Sequence, residues 1–352
     1  MRGRKIFAIH SILGLITGTL LLVISLSGSI LVFSDEIDRY LNPPLLKVAV
    51  ETKKVSLDSI YKDAKLLFPN HYIRFRQLPQ QPDRSIELSV EKGDVWVFAY
   101  FDPYTGKYLG NRNVRTYFMG WLLGLHYGLL AGKAGEFIVG TLSIALILSL
   151  ITGTYVYRKH LIDVLTFKVK ISFKNFRQAS SSLHRIVGVW SLLFNLLFAI
   201  TGFWMLRYVF LPETYRAALP VQKTAYPITL SLDSLKLSIE KDKNFRVTSM
   251  FLPQAKGDNI IVSGSVTGQN AIYTDYVNTI EINRKTGKEV KRSYINDQLA
   301  WDKWELIVFP LHSGLYGNFL VKVIYCLAGI SPALLSISGF FLWLKRKKLV
   351  KS

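Results

Sequence analysis

The chain has 352 residues, of which 50% are hydrophobic and only 19% are charged, whereas an ordinary soluble domain carries about 25% charged residues. The uncharged residues gather into runs long enough to cross a bilayer, so the composition excludes a soluble enzyme, a secreted disulfide scaffold and a disordered chain. A single cysteine, Cys326, excludes a disulfide within the chain and any zinc or iron–sulfur site held by several cysteines.

Four runs without Asp, Glu, Lys or Arg predict membrane-spanning helices. They are Ile6–Phe33 with 28 residues, Phe137–Tyr157 and Ile186–Leu206 with 21 each, and Val323–Leu344 with 22. A helix rises about 1.5 Å per residue, so about 20 residues cross the hydrocarbon core. The first run lacks a small-residue cleavage site and is interpreted as a retained signal anchor.

The basic residues predict how the spans are oriented. The segments before the first span, between the second and third, and after the fourth together hold fifteen Lys and Arg residues and one acid, Asp163. By the positive-inside rule, both termini and the middle loop are expected in the cytoplasm. The net charge of +20 is therefore an orientation signal, and we expect contact with a lipid bilayer and no nucleic acid.

The predicted organisation runs span, external segment, span, basic loop, and then span, external segment, span and tail. The boundaries are 6–33, 34–119, 120–158 (an interfacial helix and the second span), 159–185, 186–206, 207–309, 310–344 (an interfacial helix and the fourth span) and 345–352. The cytoplasmic pieces are too short for a flavin, nicotinamide or ATP domain, and the chain has no GxGxxG or GxxxxGK[ST] motif. Any electron source is therefore expected in a partner or in the membrane.

The external segments predict small α+β units. The first has a helix at Leu57–Phe68 and alternating strands near Ser85–Val90 and Trp96–Phe101. The second has a helix at Ser231–Glu240, followed by strands near Asn259–Ser265 and Tyr276–Asn283. The Gly/Ser/Thr-rich stretch from 254 to 275 is either a degenerate copy of the first segment or a surface that faces a substrate.

The two halves of the chain repeat the same motifs in the same order. The pattern His-x3-Gly followed by a second glycine occurs at His10 and again at His184, with the second glycine 18 residues after each histidine. The sequence Ser-Leu-Asp-Ser begins at Ser56 and again at Ser231, and a Leu-His-x-Gly motif contains His126 and His312. These matches predict a four-helix bundle made of two parallel repeats, related by a pseudo-two-fold axis along the membrane normal.

Four of the six histidines lie in the repeat as symmetric pairs. The pseudo-axis should bring His10 towards His184 at one membrane face, and His126 towards His312 at the other. Paired neutral imidazoles are good axial ligands for haem iron, and two such pairs would form an electron path across the membrane. The alternative is that these histidines form hydrogen bonds at the interface and that the nearby glycines serve helix packing. His71 and His160 have no repeat partner and are expected on the surface.

The sequence resembles the PepSY-associated transmembrane family over nearly its whole length. The resemblance rests on the His10 to Gly28 pattern, on Leu183-His184-Arg185-x2-Gly188-x-Trp190, on the Leu-His pairs at 126 and 312, and on the turn Asp102-Pro103-x-Thr105-Gly106. It implies PepSY-like external units in the periplasm, a bacterial inner membrane, and two b-type haems ligated by His10 with His184 and by His126 with His312. It also implies that electrons from quinol or a cytoplasmic reductase reduce the ferric iron of a siderophore or other chelate.

Two other functions stay open at this point. PepSY-like units are linked to the modulation of peptidases, so the protein could instead be a membrane-anchored regulator of a periplasmic hydrolase. It could also be a transporter or a non-redox accessory of iron uptake, although the spans lack acidic residues for ion coupling.

Overall fold

The computed structural model describes residues 2–215, 226–255 and 257–350 of the chain. Residues 351 and 352, at the end of the predicted basic tail, lie outside the described residues, as do 216–225 and 256 in the second external segment. The helices are α1 (Arg2–Leu31), α2 (Ser34–Leu41), α3 (Pro43–Leu46), α4 (Leu57–Leu67), α5 (Phe118–Gly128), α6 (Gly132–Tyr157), α7 (Leu161–Leu165), α8 (Phe176–Trp190), α9 (Leu192–Leu206), α10 (Leu232–Glu240), α11 (Ala300–Ser313) and α12 (Phe319–Val350). The strands are β1 (Tyr72–Gln77), β2 (Ile86–Lys92), β3 (Val95–Phe101), β4 (Tyr108–Asn113), β5 (Phe245–Phe251), β6 (Ile260–Val266), β7 (Asn278–Ile282) and β8 (Glu289–Ser293).

The chain divides into two compact units. The helical unit comprises Met1–Ser34, Trp121–Arg216 and Val308–Ser352. The sheet unit comprises Asp35–Gly120 and Ala217–Ile307, which are close to the two predicted external segments.

Four helical segments of the described residues are long and apolar enough to cross a membrane. They are Gly3–Leu31, Gly132–Leu165, Leu192–Phe210 and Phe319–Leu344. Each overlaps one predicted span, so the prediction of a multi-pass membrane protein with four spanning helices is confirmed.

The third span differs from its prediction because the helix is interrupted at Ser191. The Ser191 hydroxyl donates a hydrogen bond to the Val187 carbonyl and accepts one from the Asn195 side-chain amide. Asn195 also accepts a hydrogen bond from Ser331 of α12, which satisfies this buried amide inside the bundle. Much of the basic loop is helical rather than irregular, because α8 extends back to Phe176.

The spans pack side by side in a bundle. α1 lies against α6 and α12, and α9 lies against α6 and α12 on the opposite side. Small residues allow close approach where α1 meets α12: a Cβ atom added at Gly329 would lie only 2.7 Å from Ser29 Oγ. Packing through small residues is the usual means of helix association in lipid, where burial of apolar surface gives little driving force.

The sheet unit contains one antiparallel sheet with strand order β4-β3-β2-β1-β5-β6-β7-β8. The sequence predicts β2, β3, β6 and β7 but gives no signal for β1 and β5, the central strands. These two strands pair at Phe75 and Met250. The prediction of a separate small unit in each half is therefore corrected, because both external segments share one sheet in one compact unit. Ser56 and Ser231 differ by 175 residues, and so do Phe75 and Met250, so equivalent positions of the two segments meet at the centre of the sheet.

One face of the sheet is covered by α4 and α10. Ile60 and Ala64 of α4 pack against Phe75, and Leu232 of α10 is equally buried. On the other face α3 covers the edge near β3, where Leu46 packs on Phe98 and Tyr100. Side chains of β2 and β3 are therefore buried on both faces of the sheet, and this burial stabilises the sheet.

The two covering helices cap each other. Asp233, in the first turn of α10, accepts a hydrogen bond from the Leu57 backbone N–H at 3.0 Å and one from the Ser56 hydroxyl. Asp58, in the first turn of α4, accepts a hydrogen bond from the Leu232 backbone N–H at 2.7 Å and one from the Ser231 hydroxyl at 2.6 Å. Each carboxylate thus satisfies free N–H groups at the N-terminus of the other helix, where negative charge is favourable.

We expect Asp233→Ala to weaken the junction between α4 and α10 by about 1–2 kcal/mol, the usual contribution of a helix cap. Hydrogen exchange of the α4 amides in the full chain measures this directly, and exchange should accelerate. Asp63→Ala, an exposed position on α4, should leave the exchange unchanged. Equal exchange in both variants would show that the reciprocal caps carry no stability.

This contribution depends on pH. Burial opposes the charge on Asp233, but hydrogen bonds from Ser56 and from the Leu57 and Asp58 N–H groups outweigh it and lower the pKa of the carboxyl. A carboxyl with a lowered folded pKa stabilises the fold above its unfolded pKa of about 3.9. We therefore expect the Asp233 contribution to be complete at neutral pH and lost as the pH falls through the folded pKa.

Candidate functional site

The structure brings the four repeated histidines together in two pairs within the helical unit. The ring centres of His10 and His184 are 6.2 Å apart, and those of His126 and His312 are 6.0 Å apart. These are the two pairs predicted from the repeat. His71 and His160 join neither pair: His71 packs on Phe68, and the exposed His160 lies beside Asp163.

Each imidazole lies against a glycine of a neighbouring helix. A Cβ atom added at Gly28 would lie 2.6 Å from Cε1 of His126, and one at Gly153 would lie 3.0 Å from Cε1 of His10. The corresponding distances are 3.3 Å from Gly202 to His312 and 3.4 Å from Gly339 to His184. A side chain in place of these glycines would occupy the space of the imidazoles, most severely at Gly28.

Two of the histidines are held by backbone carbonyl groups. Nδ1 of His10 lies 3.1 Å from the Ser149 carbonyl oxygen, and Nδ1 of His126 lies 2.9 Å from that of Ile24. A carbonyl oxygen only accepts, so Nδ1 is the protonated nitrogen that donates in both cases. The lone pair of Nε2 is then free to bind a metal.

The other two histidines are held by hydroxyl groups. Nδ1 of His184 lies 2.9 Å from Ser338 Oγ, and Nδ1 of His312 lies 2.9 Å from Thr201 Oγ1. Both hydroxyls already donate to backbone carbonyls one turn earlier in their own helices. They therefore accept from Nδ1, which leaves Nε2 unprotonated as in the first two histidines.

The donor set and the spacing of the rings would suit a metal ion bound by both imidazoles of a pair. With a metal–nitrogen bond of about 2.0–2.1 Å and a nitrogen about 1.2 Å from the ring centre, the two centres would lie about 6.4 Å apart. The observed separations of 6.2 and 6.0 Å are slightly shorter. No group of three or more His, Cys, Asp or Glu side chains that could hold a metal ion occurs in residues 2–215, 226–255 and 257–350.

A cavity of about 350 Å³ adjoins the His10 and His184 pair. Gly14 and Gly188, one turn from these histidines, line it together with mostly apolar side chains. Nothing lies within 4 Å of a Cβ atom added at Gly14, so the absence of a side chain there keeps the cavity open. A largely apolar cavity of this size suits a flat hydrophobic cofactor.

The two pairs lie at opposite ends of the spans. His10 and Gly28 are both on α1, and Gly28 contacts His126. Their separation of 18 residues corresponds to about 27 Å along a helix. The geometry therefore provides two separate sites across the bundle rather than one shared site.

His126 and His312 lie on the separate helices α5 and α11, before the spans begin. The chain reverses after α5 through Leu129 and Leu130, which have φ of 50° and 58°. After α11 it turns at Gly314, where φ is 71°. The sequence did not decide whether these histidines lie in the spans or on helices before them. The structure places His126 on α5 and His312 on α11, each separated by a turn from the span that follows.

The sequence interpretation missed the side chains that orient the imidazoles. A hydroxyl residue directly precedes each glycine that contacts a histidine, and it lies within 3.4 Å of Nδ1 of that histidine. The four dipeptides are Ser27-Gly28, Thr152-Gly153, Thr201-Gly202 and Ser338-Gly339. This Ser/Thr-Gly signal is visible in the sequence, although it is informative only when the partner histidine is known.

The comparison with family models found one match. The model described as the PepSY-associated TM region matches residues 7–346 of the chain, which includes all four paired histidines. A search of curated proteins found no match.

Proposed function

Because the chain belongs to the PepSY-associated TM family, we propose that it is a di-haem reductase that passes electrons across the membrane to a ferric chelate. The observation that carries the proposal is the pair of matched bis-imidazole sites with Nε2 atoms free and Nδ1 atoms hydrogen-bonded. A b-type haem at each site would supply reversible one-electron chemistry, and two histidine ligands would favour electron transfer over oxygen binding.

The chain's own residues would perform three tasks. His10 and His184 would hold one haem, and His126 and His312 the other. The carbonyl and hydroxyl partners on Nδ1 orient the rings and raise the basicity of Nε2, as in other metal sites with ordered outer ligands. The glycines leave room for the rings, and the apolar spans exclude water between the two sites.

The substrate side follows from iron chemistry. Each Fe(III) ion takes one electron to become Fe(II), which hard oxygen chelators such as siderophores hold far more weakly. Reduction would thus release the iron. We place the protein in the bacterial inner membrane with both termini in the cytoplasm, the sheet unit in the periplasm, and a quinol or a cytoplasmic reductase as the electron donor.

We also propose that the two halves arose as parallel repeats. Each half supplies one histidine to each pair, and equivalent residues meet at the reciprocal caps and at the β1–β5 junction. This symmetry supports equal roles for the two histidines of a pair.

An absorption spectrum of the detergent-purified chain, oxidised and then reduced with dithionite, tests the proposal. We expect a sharp Soret band, reduced α and β bands of b type, and about two haems per chain by this ligand count. Reoxidation of the reduced protein by a ferric chelate, with Fe(II) trapped by a colorimetric ligand, then tests the reaction.

A colourless protein, even when the expression host is supplied with haem, would contradict this function. Co-purification of a hydrolase with such a protein would favour the regulator alternative. If the protein binds haem but no ferric chelate reoxidises it, the proposed electron transfer would stand and the proposed substrate would be wrong.

A further inference from the structure

A second cavity, of about 820 Å³, lies within the sheet unit. It is bordered by the segment that leads into α4, by α10 and by β5. It therefore lies where elements of the two external segments meet. None of the four paired histidines lines it, so it is independent of the haem sites proposed above.

The cavity is lined by an excess of positive charge. Five cationic side chains border it: Lys53, Lys54, Lys236, Lys243 and Arg246. Two carboxylates border it as well, Asp233 and Glu240. Asp233 accepts the Leu57 N–H as a cap of α4. Glu240 forms an ion pair with Lys236 and accepts a hydrogen bond from the Val247 N–H.

Four of these cations are exposed side chains that stand outside every ion pair of the described residues. In the part of the chain that the structure describes, Lys53, Lys54, Lys243 and Arg246 form no ion pair. Burial lowers the pKa of Lys54, the positive charges of Lys236 and Arg246 lower it further, and the negative charge of Glu240 partly opposes them. The cavity thus gathers cations that repel one another, and Glu240 offsets this repulsion only in part.

The fold itself does not require these charges. Positions 175 residues apart are equivalent in the two external segments, as the reciprocal caps and the Phe75–Met250 pair show. The residues equivalent to the five cations are Ile228, Thr229, Tyr61, Phe68 and His71. Tyr61, Phe68 and Ile228 pack against the hydrophobic core of the sheet.

Three of the five equivalent positions are therefore occupied by apolar or aromatic side chains packed against the core, whereas Lys53, Lys236 and Lys243 border a cavity. At these three positions an apolar side chain supports the same helix–sheet packing, so packing alone does not require a lysine there. This difference between equivalent positions of the two external segments indicates that the cations around the cavity bind a ligand of opposite charge.

We propose that this cavity binds a small polycarboxylate anion. The cations come from several separate segments around a space much larger than one phosphate ion, so a ligand with several separated anionic groups satisfies them best. Lysine ammonium groups are mobile point charges that suit carboxylates presented at different angles. Citrate is the simplest probe of this class.

Isothermal titration calorimetry of the full chain in a zwitterionic detergent tests the proposal, with citrate and inorganic phosphate as separate ligands. We expect citrate to bind more tightly than phosphate, and its affinity to fall as salt is added. The triple variant Lys53→Gln, Lys54→Gln, Lys243→Gln removes cations that hold no ion pair, and it should bind citrate at least about tenfold more weakly.

A second triple variant is the matched control. Lys62→Gln, Lys65→Gln, Lys241→Gln changes the net charge of the chain equally at exposed positions outside the cavity, and it should bind citrate like the unmodified chain. Equal loss in both variants would mean that net charge alone attracts citrate and would overturn the proposal.

Absence of citrate binding at millimolar concentration, or phosphate binding as tight as that of citrate, would also overturn it. Both triple variants should keep the haem spectrum of the unmodified chain. Failure of the anion site is thereby distinguished from failure of the haem sites.

Discussion

Replacing His126 with alanine is expected to remove one of two haems while the chain still inserts into the membrane. The imidazole pairs with His312 at 6.0 Å and is oriented by the Ile24 carbonyl. Under the proposed function His126 and His312 would together hold one haem, so loss of either histidine would weaken retention of that haem and alter its spectrum. His312→Ala should give the same result, because the two histidines serve one site.

Haem per chain, measured by the pyridine haemochrome method on purified protein, is the readout. His71→Ala and His160→Ala remove histidines outside both pairs, and both should retain the full haem content. A double variant at His126 and His312 that keeps two haems with unchanged spectra would disprove the ligand assignment. The corresponding double variant at His10 and His184 should lose only the other haem.

Replacing Gly28 with alanine is expected to impair the same site without touching a ligand. The added Cβ atom would lie 2.6 Å from Cε1 of His126, closer than van der Waals contact allows. The imidazole must move, and its hydrogen bond to the Ile24 carbonyl must lengthen or break. We expect partial or complete loss of one haem and a changed reduction potential for any haem that remains.

The other three glycines provide a graded series. Gly153→Ala should come next in severity at 3.0 Å, and Gly202→Ala and Gly339→Ala should be milder at 3.3 and 3.4 Å. Gly18→Ala is the matched control on α1, because its Cβ atom would make only an ordinary contact at 3.6 Å with Ser336. Potentiometric titration of each variant separates this ordering from a general loss of helix packing, under which Gly18→Ala would be as harmful as Gly28→Ala.

The membrane spans and the histidine pairs could be predicted from the sequence. A span is recognised by its local composition alone, since about 20 apolar residues suffice whatever surrounds them. The pairing was predicted from the repeated motifs, because a pseudo-two-fold axis along the membrane normal would place His10 near His184 and His126 near His312. The strands β2, β3, β6 and β7 followed from alternating or apolar runs with turn residues between them.

The shared sheet could not be predicted in the same way. β1 reads Tyr-Ile-Arg-Phe-Arg-Gln, and its arginines hide the strand pattern. Those arginines are accommodated because Arg76 pairs with Glu87 and Arg74 lies near Glu91, both on β2. Such cross-strand partners are distant in sequence, so the junction of β1 with β5 depends on tertiary contacts.

The sequence by itself determined four apolar spans, a set of motifs that recur in the same order and the four histidines that form two close pairs, because each depends only on local composition or on spacing. Only the tertiary structure decided which glycine accommodates which imidazole, which oxygen orients Nδ1, and how Asp58 and Asp233 exchange caps between α4 and α10. It also decided that five cations from both external segments surround one cavity. These features join residues from separate elements, and their geometry arises only when the elements pack.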